Sequence, residues 1–111
     1  MTDFLERPLV FVDLETTGAT AETDRITEIG IVTVSGDHVS EWSQLVQPEI
    51  SISPFIQQLT GISDAMVADA PRFADIADEV KRRLEGHIFL AHNARFDFGF
   101  LRQEFRRLGM E

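Results

Sequence analysis

The chain has no cysteine, which excludes disulfides and thiolate metal sites. It has no apolar run long enough to cross a membrane. Its first residues, Met1-Thr2-Asp3-Phe4-Leu5-Glu6-Arg7, are acidic and mixed, unlike a secretory signal. A cytoplasmic location is therefore the default expectation. No repeat, low-complexity stretch or linker interrupts the 111 residues, so one small domain with a single core is expected. Positive charge is scarce: 10 Lys and Arg stand against 19 Asp and Glu, for a formal net charge of −9. That argues against a protein that holds nucleic acid by broad phosphate neutralisation. It does not argue against one in which bound cations, rather than lysines, meet the phosphate. The basic residues cluster late, as Lys81-Arg82-Arg83 and as Arg102, Arg106 and Arg107. Both groups read as the wet faces of helices.

What is present is a patterned α/β chain, 43% hydrophobic. Residues 8–13 read as a strand apolar on both faces, hence central. Residues 26–34 are β-branched and read as a second strand. Ser35-Gly36-Asp37 is a turn, and 39–46 alternates in polarity, making a hairpin. Ser53-Pro54 reads as an N-cap with proline at the first helical position, opening a short helix that ends at Gly61. Residues 63–66 can add one turn. After Pro71, Phe73, Ile76, Ala77, Val80 and Leu84 form one stripe of an amphipathic helix stopped at Gly86. Residues 87–91 form a short apolar strand. Asn93 can cap a last helix that runs through Leu108 to Gly109. The order β-β-β-α-α-β-α predicts a mixed sheet with flanking helices. In it the fourth strand lies parallel to the first through a right-handed crossover.

The chemistry begins at Asp13-Leu14-Glu15, where the first strand stops. Successive side chains alternate faces, so Asp13 and Glu15 share one if the strand runs that far. Two carboxylates that close repel, and a divalent cation is the usual neutraliser. Thr16-Thr17-Gly18 follows as a turn able to bring a substrate near. A plain strand entering a polar loop would read the same way. Asp97 is the residue that separates the two readings. It lies at spacings of four, four and three with Leu101, Phe105 and Leu108, so it begins a core-facing stripe between Phe96 and Phe98. An exposed acid there would only answer the helix dipole, whereas a buried one needs a partner or a metal. Three carboxylates converging at the ends of adjacent strands make an oxygen-ligand site suited to Mg²⁺ or Mn²⁺. Two such ions roughly 3.5–4 Å apart suit phosphodiester hydrolysis.

Phe11-Val12-Asp13-Leu14-Glu15-Thr16-Thr17-Gly18 resembles the first motif of the DEDD (DnaQ-like) 3′→5′ exonucleases. Ala91-His92-Asn93-Ala94-Arg95-Phe96-Asp97 resembles their second. Asp24-Arg25-Ile26-Thr27-Glu28-Ile29-Gly30 and Leu59-Thr60-Gly61-Ile62 match between them. The resemblance implies a ribonuclease H-like sheet, with an antiparallel β1-β2-β3 meander and β4 parallel to β1. It implies Asp13, Glu15 and Asp97 as catalytic ligands of two divalent ions, Mg²⁺ or Mn²⁺. It places Thr16 and Thr17 beside the terminal nucleotide, Ile62 as a wedge against terminal bases, and Asn93 and Phe96 in the pocket. For Ile62 and Phe96 ordinary core packing is the competing reading, and His92 reads as structural.

The family's third motif, a histidine followed closely by an aspartate, has no counterpart among these residues, nor has its fourth carboxylate. The expectation is an exonuclease domain over 1–111, incomplete at its C-terminus. Its substrate would be a nucleic-acid 3′ end, single-stranded DNA or RNA, in proofreading or repair. Its partner would be a DNA polymerase or another replication or repair protein. Little or no turnover is expected of these residues alone. Open apolar surface is expected near Phe96, Phe98 and Phe100 and along the edge of the 87–91 strand, favouring association. The alternative is a metal-binding or nucleic-acid-end-binding module without turnover.

Overall fold

A computed structural model of the chain describes residues 8–91 and 94–110. Its four strands are β1 (Leu9–Thr16), β2 (Ile26–Ser35), β3 (His38–Leu45) and β4 (Ile88–Ala91). Its helices are α1 (Pro54–Thr60), α2 (Asp64–Val67), α3 (Phe73–Leu84) and α4 (Ala94–Arg107). The strands lie in the order β3-β2-β1-β4, antiparallel except for the parallel β1–β4 pair. This is the expected mixed sheet, and β1 is interior as expected. The 63–66 turn is a short helix of its own, α2, so three helices rather than two separate β3 from β4.

Alternation on β1 sorts the molecule into two sides. Val10, Val12 and Leu14 are buried with Ile29 and Ile31 of β2, under Phe73, Ala77 and Val80 of α3 and Phe100 and Leu101 of α4. The Phe73 and Phe105 rings meet edge to face at 5.2 Å and join the two helices. Phe11, Asp13 and Glu15 point to the other side, where Phe11 and Leu90 are exposed. No helix among the described residues is packed there in the core cluster. A second cluster of Ile52, Ile62 and Val67 ties α1 and α2 together.

Local signals place the ends. The β2–β3 hairpin turns through Gly36 and Asp37, with Ser35 opposite His38 and Gly36 at φ 60°. Ser53 accepts from the Ile56 amide to cap α1, and Gly61 at φ 77° ends it. The stripe read on α3 is the one that is buried or half-buried. The Asn93 cap expected for α4 lies outside the described residues.

Four expectations need correction. β1 does not stop at Asp13 but runs to Thr16, because β2 continues opposite it as far as Ile26. The α4 stripe ends differently: Leu108 lies past the helix and is exposed, while Phe100 and Glu104 join Asp97 and Leu101 in the interior. Phe98 is 55% exposed as expected, but Phe100 is only 1% exposed. Two arginines are more than a wet face. Arg83 lies over the Trp42 ring at 4.8 Å, and Arg107 donates to the carbonyls of Ala21 and Glu22 at 2.9 and 3.1 Å. The β4 edge is open among the described strands.

The β1–β2 register slips between Glu15 and Thr16, so Thr27 has no residue opposite it. Ile26 and Thr27 are both buried as a result. The Thr27 hydroxyl finds no hydrogen-bond partner among the described residues. Thr27→Val keeps the shape and removes that buried hydroxyl. It should stabilise the fold by about 1 kcal/mol. A thermal melt should show a midpoint higher by several degrees; a lower midpoint would mean that the hydroxyl is bonded.

Candidate active site

Asp13 and Glu15 leave the uncovered face of β1 near its carboxyl end. Cross-strand pairing adds neighbours the sequence reading did not include. Glu28 stands directly opposite Glu15, and Gly30 directly opposite Asp13. Gly30 leaves the space beside Asp13 open, and a shallow groove runs there over Phe11, Asp13, Gly30, Val32, Glu41 and Ser43. Like charges directly opposed across strands are destabilising. The Glu15 carboxyl shows the effect: partial burial, then the Asp13 charge, then the Glu28 charge hold it above the usual carboxylate range. Period-2 pairing of the Glu15 and Glu28 segments was the signal that could have found Glu28.

Asp97 comes from a different side. It sits in the first turn of α4, and α4 packs against the covered face. β4 ends at Ala91, level with Val12, and α4 begins at Ala94. Asp97 thus comes from a helix, whereas Asp13 and Glu15 come from β1. It is 5% exposed and already engaged with a neighbour. Among the described residues no three His, Asp or Glu side chains are close enough to hold an ion. The donor chemistry nonetheless fits a hard cation. Every candidate ligand is a carboxylate oxygen, and Glu15 carries the mark of unneutralised charge beside it.

Thr16 and Thr17 are buried, and their hydroxyls are committed to the loop itself. Thr16 Oγ1 donates to the Gly18 carbonyl at 2.6 Å. Thr17 Oγ1 donates to Asp24 Oδ1 at 3.0 Å and accepts from the Arg25 amide at 3.0 Å. Asp24 Oδ2 accepts from the Thr20 amide at 3.0 Å. These threonines build the loop rather than offer free hydroxyls. Ile62 is 4% exposed, packed in the second cluster, and Phe96 is half-buried against Phe100 at 4.8 Å between ring centres. For both, the packing role is the visible one. Asn93 and His92 lie outside the described residues. His38 pairs with Ser35, and His87 precedes the Ile88–Leu9 pair. Both histidines stand at the amino end of β1, away from Asp13 and Glu15.

A family model described as "Exonuclease" matches residues 10–111. The chain belongs to the DEDD exonuclease family. It is 40% identical over 101 residues to a 3′-5′ exonuclease DinG of Staphylococcus haemolyticus, covering 90% of this chain and 11% of that protein. It is 41% identical over 93 residues to a DNA polymerase III subunit epsilon of Treponema pallidum, covering 83% of this chain and 43% of that one. Among solved structures, exonuclease I matches with a TM-score of 0.84 at 20% identity, over 96% of this chain and 27% of the other. Exonuclease X in complex with 5′ overhanging duplex DNA matches with a TM-score of 0.71 at 34% identity, over 84% and 53%. The exonuclease I match confirms the ribonuclease H-like fold. This chain thus spans less than half of the length of both curated relatives. None of the described helices is long and apolar enough to cross a membrane.

Two outcomes follow from this geometry. A carboxyl whose pKa is raised on folding favours the fold while protonated. That advantage is lost as pH rises through its folded value, and below its unfolded value no penalty remains. Glu15→Gln should therefore raise the melting midpoint at pH 7.5 without divalent cations, by on the order of a degree or two after solvent screening. The gain should shrink toward pH 4; an equal midpoint at pH 7.5 would contradict the crowding of Glu15. Separately, a Cβ on Gly18 would meet the Asp24 carboxylate at 2.4–2.7 Å. Gly18→Ala should displace Asp24 and cost roughly 1–3 kcal/mol, read as a lower denaturation midpoint with faster amide exchange over 17–25.

Proposed function

We propose that the chain is a metal-dependent 3′→5′ exonuclease domain acting on phosphodiester bonds at nucleic-acid 3′ ends. The observation that carries this is the pairing of Asp13 and Glu15 on an uncovered sheet face, crowded enough to hold the Glu15 carboxyl above its usual range. The name of the staphylococcal relative supports the reaction direction. Asp13 and Glu15, with Asp97 from α4, would hold two divalent ions, Mg²⁺ or Mn²⁺. Bound there, such ions would offset the phosphate charge and lower the pKa of a coordinated water.

The chain's own residues set the remaining conditions. The face carries Asp13, Glu15, Glu28 and Glu41 within a molecule of net charge −9. It repels a phosphodiester until cations are present, so nucleic-acid affinity is conditional on them. Thr16 and Thr17 fix the loop after β1 through their internal bonds, and the terminal nucleotide would meet its backbone. Phe96 and Asn93 would line the pocket, and Ile62 would reach the terminal bases only by leaving its cluster. Single-stranded DNA is the proposed substrate class, with RNA as the comparison. A DNA polymerase is the class of partner, as the polymerase III relatives suggest. Neither His38 nor His87 is placed to take a proton from an attacking water, a role worth ~10²–10⁴ in rate. Turnover by these residues alone is expected to be slow.

Titration with Mn²⁺ by calorimetry should show binding that Asp13→Asn weakens at least tenfold. Any release of nucleoside 5′-monophosphates from a 3′-labelled strand should require both added cation and Asp13. Equal Mn²⁺ binding by wild type and Asp13→Asn would remove the metal assignment. Cation-dependent binding of a strand end without release would leave the non-catalytic module as the reading.

A further inference from the structure

Glu104 is the carboxylate that the proposed reaction does not use. It lies on α4, 2% exposed, beside the apolar core. An ionised carboxylate at such a depth is unfavourable unless it is paired and hydrogen-bonded. Arg25 supplies both. Its Nε and Nη2 donate to the two Glu104 oxygens at 2.9 and 2.8 Å, a forked pair. The Ile26 amide adds a contact at 3.4 Å, and Arg107 Nη1 lies 3.4 Å from Glu104 Oε1.

The two ends of this pair lead toward the acids of the candidate site. Arg25 is joined to Thr17, two residues past Glu15, by both of its backbone groups. The Thr17 amide donates to the Arg25 carbonyl at 2.8 Å, and the Arg25 amide donates to Thr17 Oγ1 at 3.0 Å. Glu104 lies seven residues beyond Asp97 on α4. That is two turns along the same stripe, about 10 Å. Arg107, one turn further, grips the Ala21 and Glu22 carbonyls of the same loop. The apolar contacts of Phe100 and Leu101 resist separation of α4 from the sheet but are non-directional, so they fix its rotation and axial position poorly. A forked, desolvated ion pair is directional and does fix them.

We infer that Arg25 and Glu104 are positioning residues, a clamp between the loop after β1 and α4 that sets Asp97 in place relative to Asp13 and Glu15. The metal part of this inference rests on the proposed function. The clamp itself is a statement about α4 and stands apart from it.

Removing Arg25 strands the buried Glu104 carboxylate and can unfold the chain, whereas removing Glu104 leaves Arg25, 18% exposed, paired with Glu49 at 3.3 Å. The deciding variant is therefore the double change Arg25→Met with Glu104→Leu, which replaces the pair by apolar groups that the interior accepts. Arg25→Lys, which keeps the charge and loses the fork, is its companion. Two readouts are taken: amide resonances of Asp97 in metal-free protein, and the Mn²⁺ dissociation constant. Expected are a double variant with a cooperative melt, a displaced Asp97 resonance, and Mn²⁺ affinity weakened about tenfold, toward that of Asp97→Asn. A merely structural pair would change the melting midpoint alone. A double variant that folds with its Asp97 resonance unmoved and its Mn²⁺ affinity within twofold of wild type would overturn the clamp. Should Asp13→Asn and wild type bind Mn²⁺ equally, the metal reading falls, and the Asp97 resonance alone decides the positioning role.

Discussion

The structure depends on one constraint: β1 has two unlike faces, and among the described residues only one of them is packed against helices. Val10, Val12 and Leu14 are buried beneath α3 and α4. Because side chains alternate strictly along a strand, that burial sends Phe11, Asp13 and Glu15 to the other side. A slip of one residue would bury the two acids and expose the core row. The same alternation that stabilises the sheet therefore presents the carboxylates. The site is a by-product of register.

The site is also held in a state of electrostatic tension. Three acids, Asp13, Glu15 and Glu28, share a small area of one face, and burial alone does not explain the raised Glu15 carboxyl. Such crowding works against the fold in the absence of a cation and in favour of binding one. It is the kind of local cost that functional sites carry and cores do not. The opposite treatment of charge occurs on the covered side, where Glu104 is fully satisfied by Arg25 and Arg107. Glu15 is crowded by like charges, and Glu104 is given an internal cation.

The loop between β1 and β2 links these two environments. Its polar side chains are turned inward on each other: Thr17 to Asp24, Asp24 to Thr20, Arg25 to Glu104. A Cβ on Gly18 would displace the Asp24 carboxylate from the position it holds there. Thr16 and Thr17, expected beside the terminal nucleotide, are bonded within a loop that joins the end of β1 to α4.

By itself the sequence determined the features that depend on neighbours close in the chain. The α3 stripe, the Ser53 and Gly61 ends of α1, the hairpin at Gly36, and Asp13 and Glu15 on one strand all follow from fixed periods and turn chemistry. The resemblance of its motifs to a known family added the family, and the order of its elements added the mixed sheet. Tertiary structure alone decided which residues meet across long separations. Glu28 opposite Glu15, Arg25 against Glu104, Arg107 on the Ala21 carbonyl and the inward-facing Thr27 depend on strand register and helix placement. Neither is encoded in any short window. The position of Asp97 shows the boundary most clearly. Helical spacing marked it as buried, and it is. That it stands on a helix packed against the covered face was settled by tertiary packing, which apolar burial drives but does not aim.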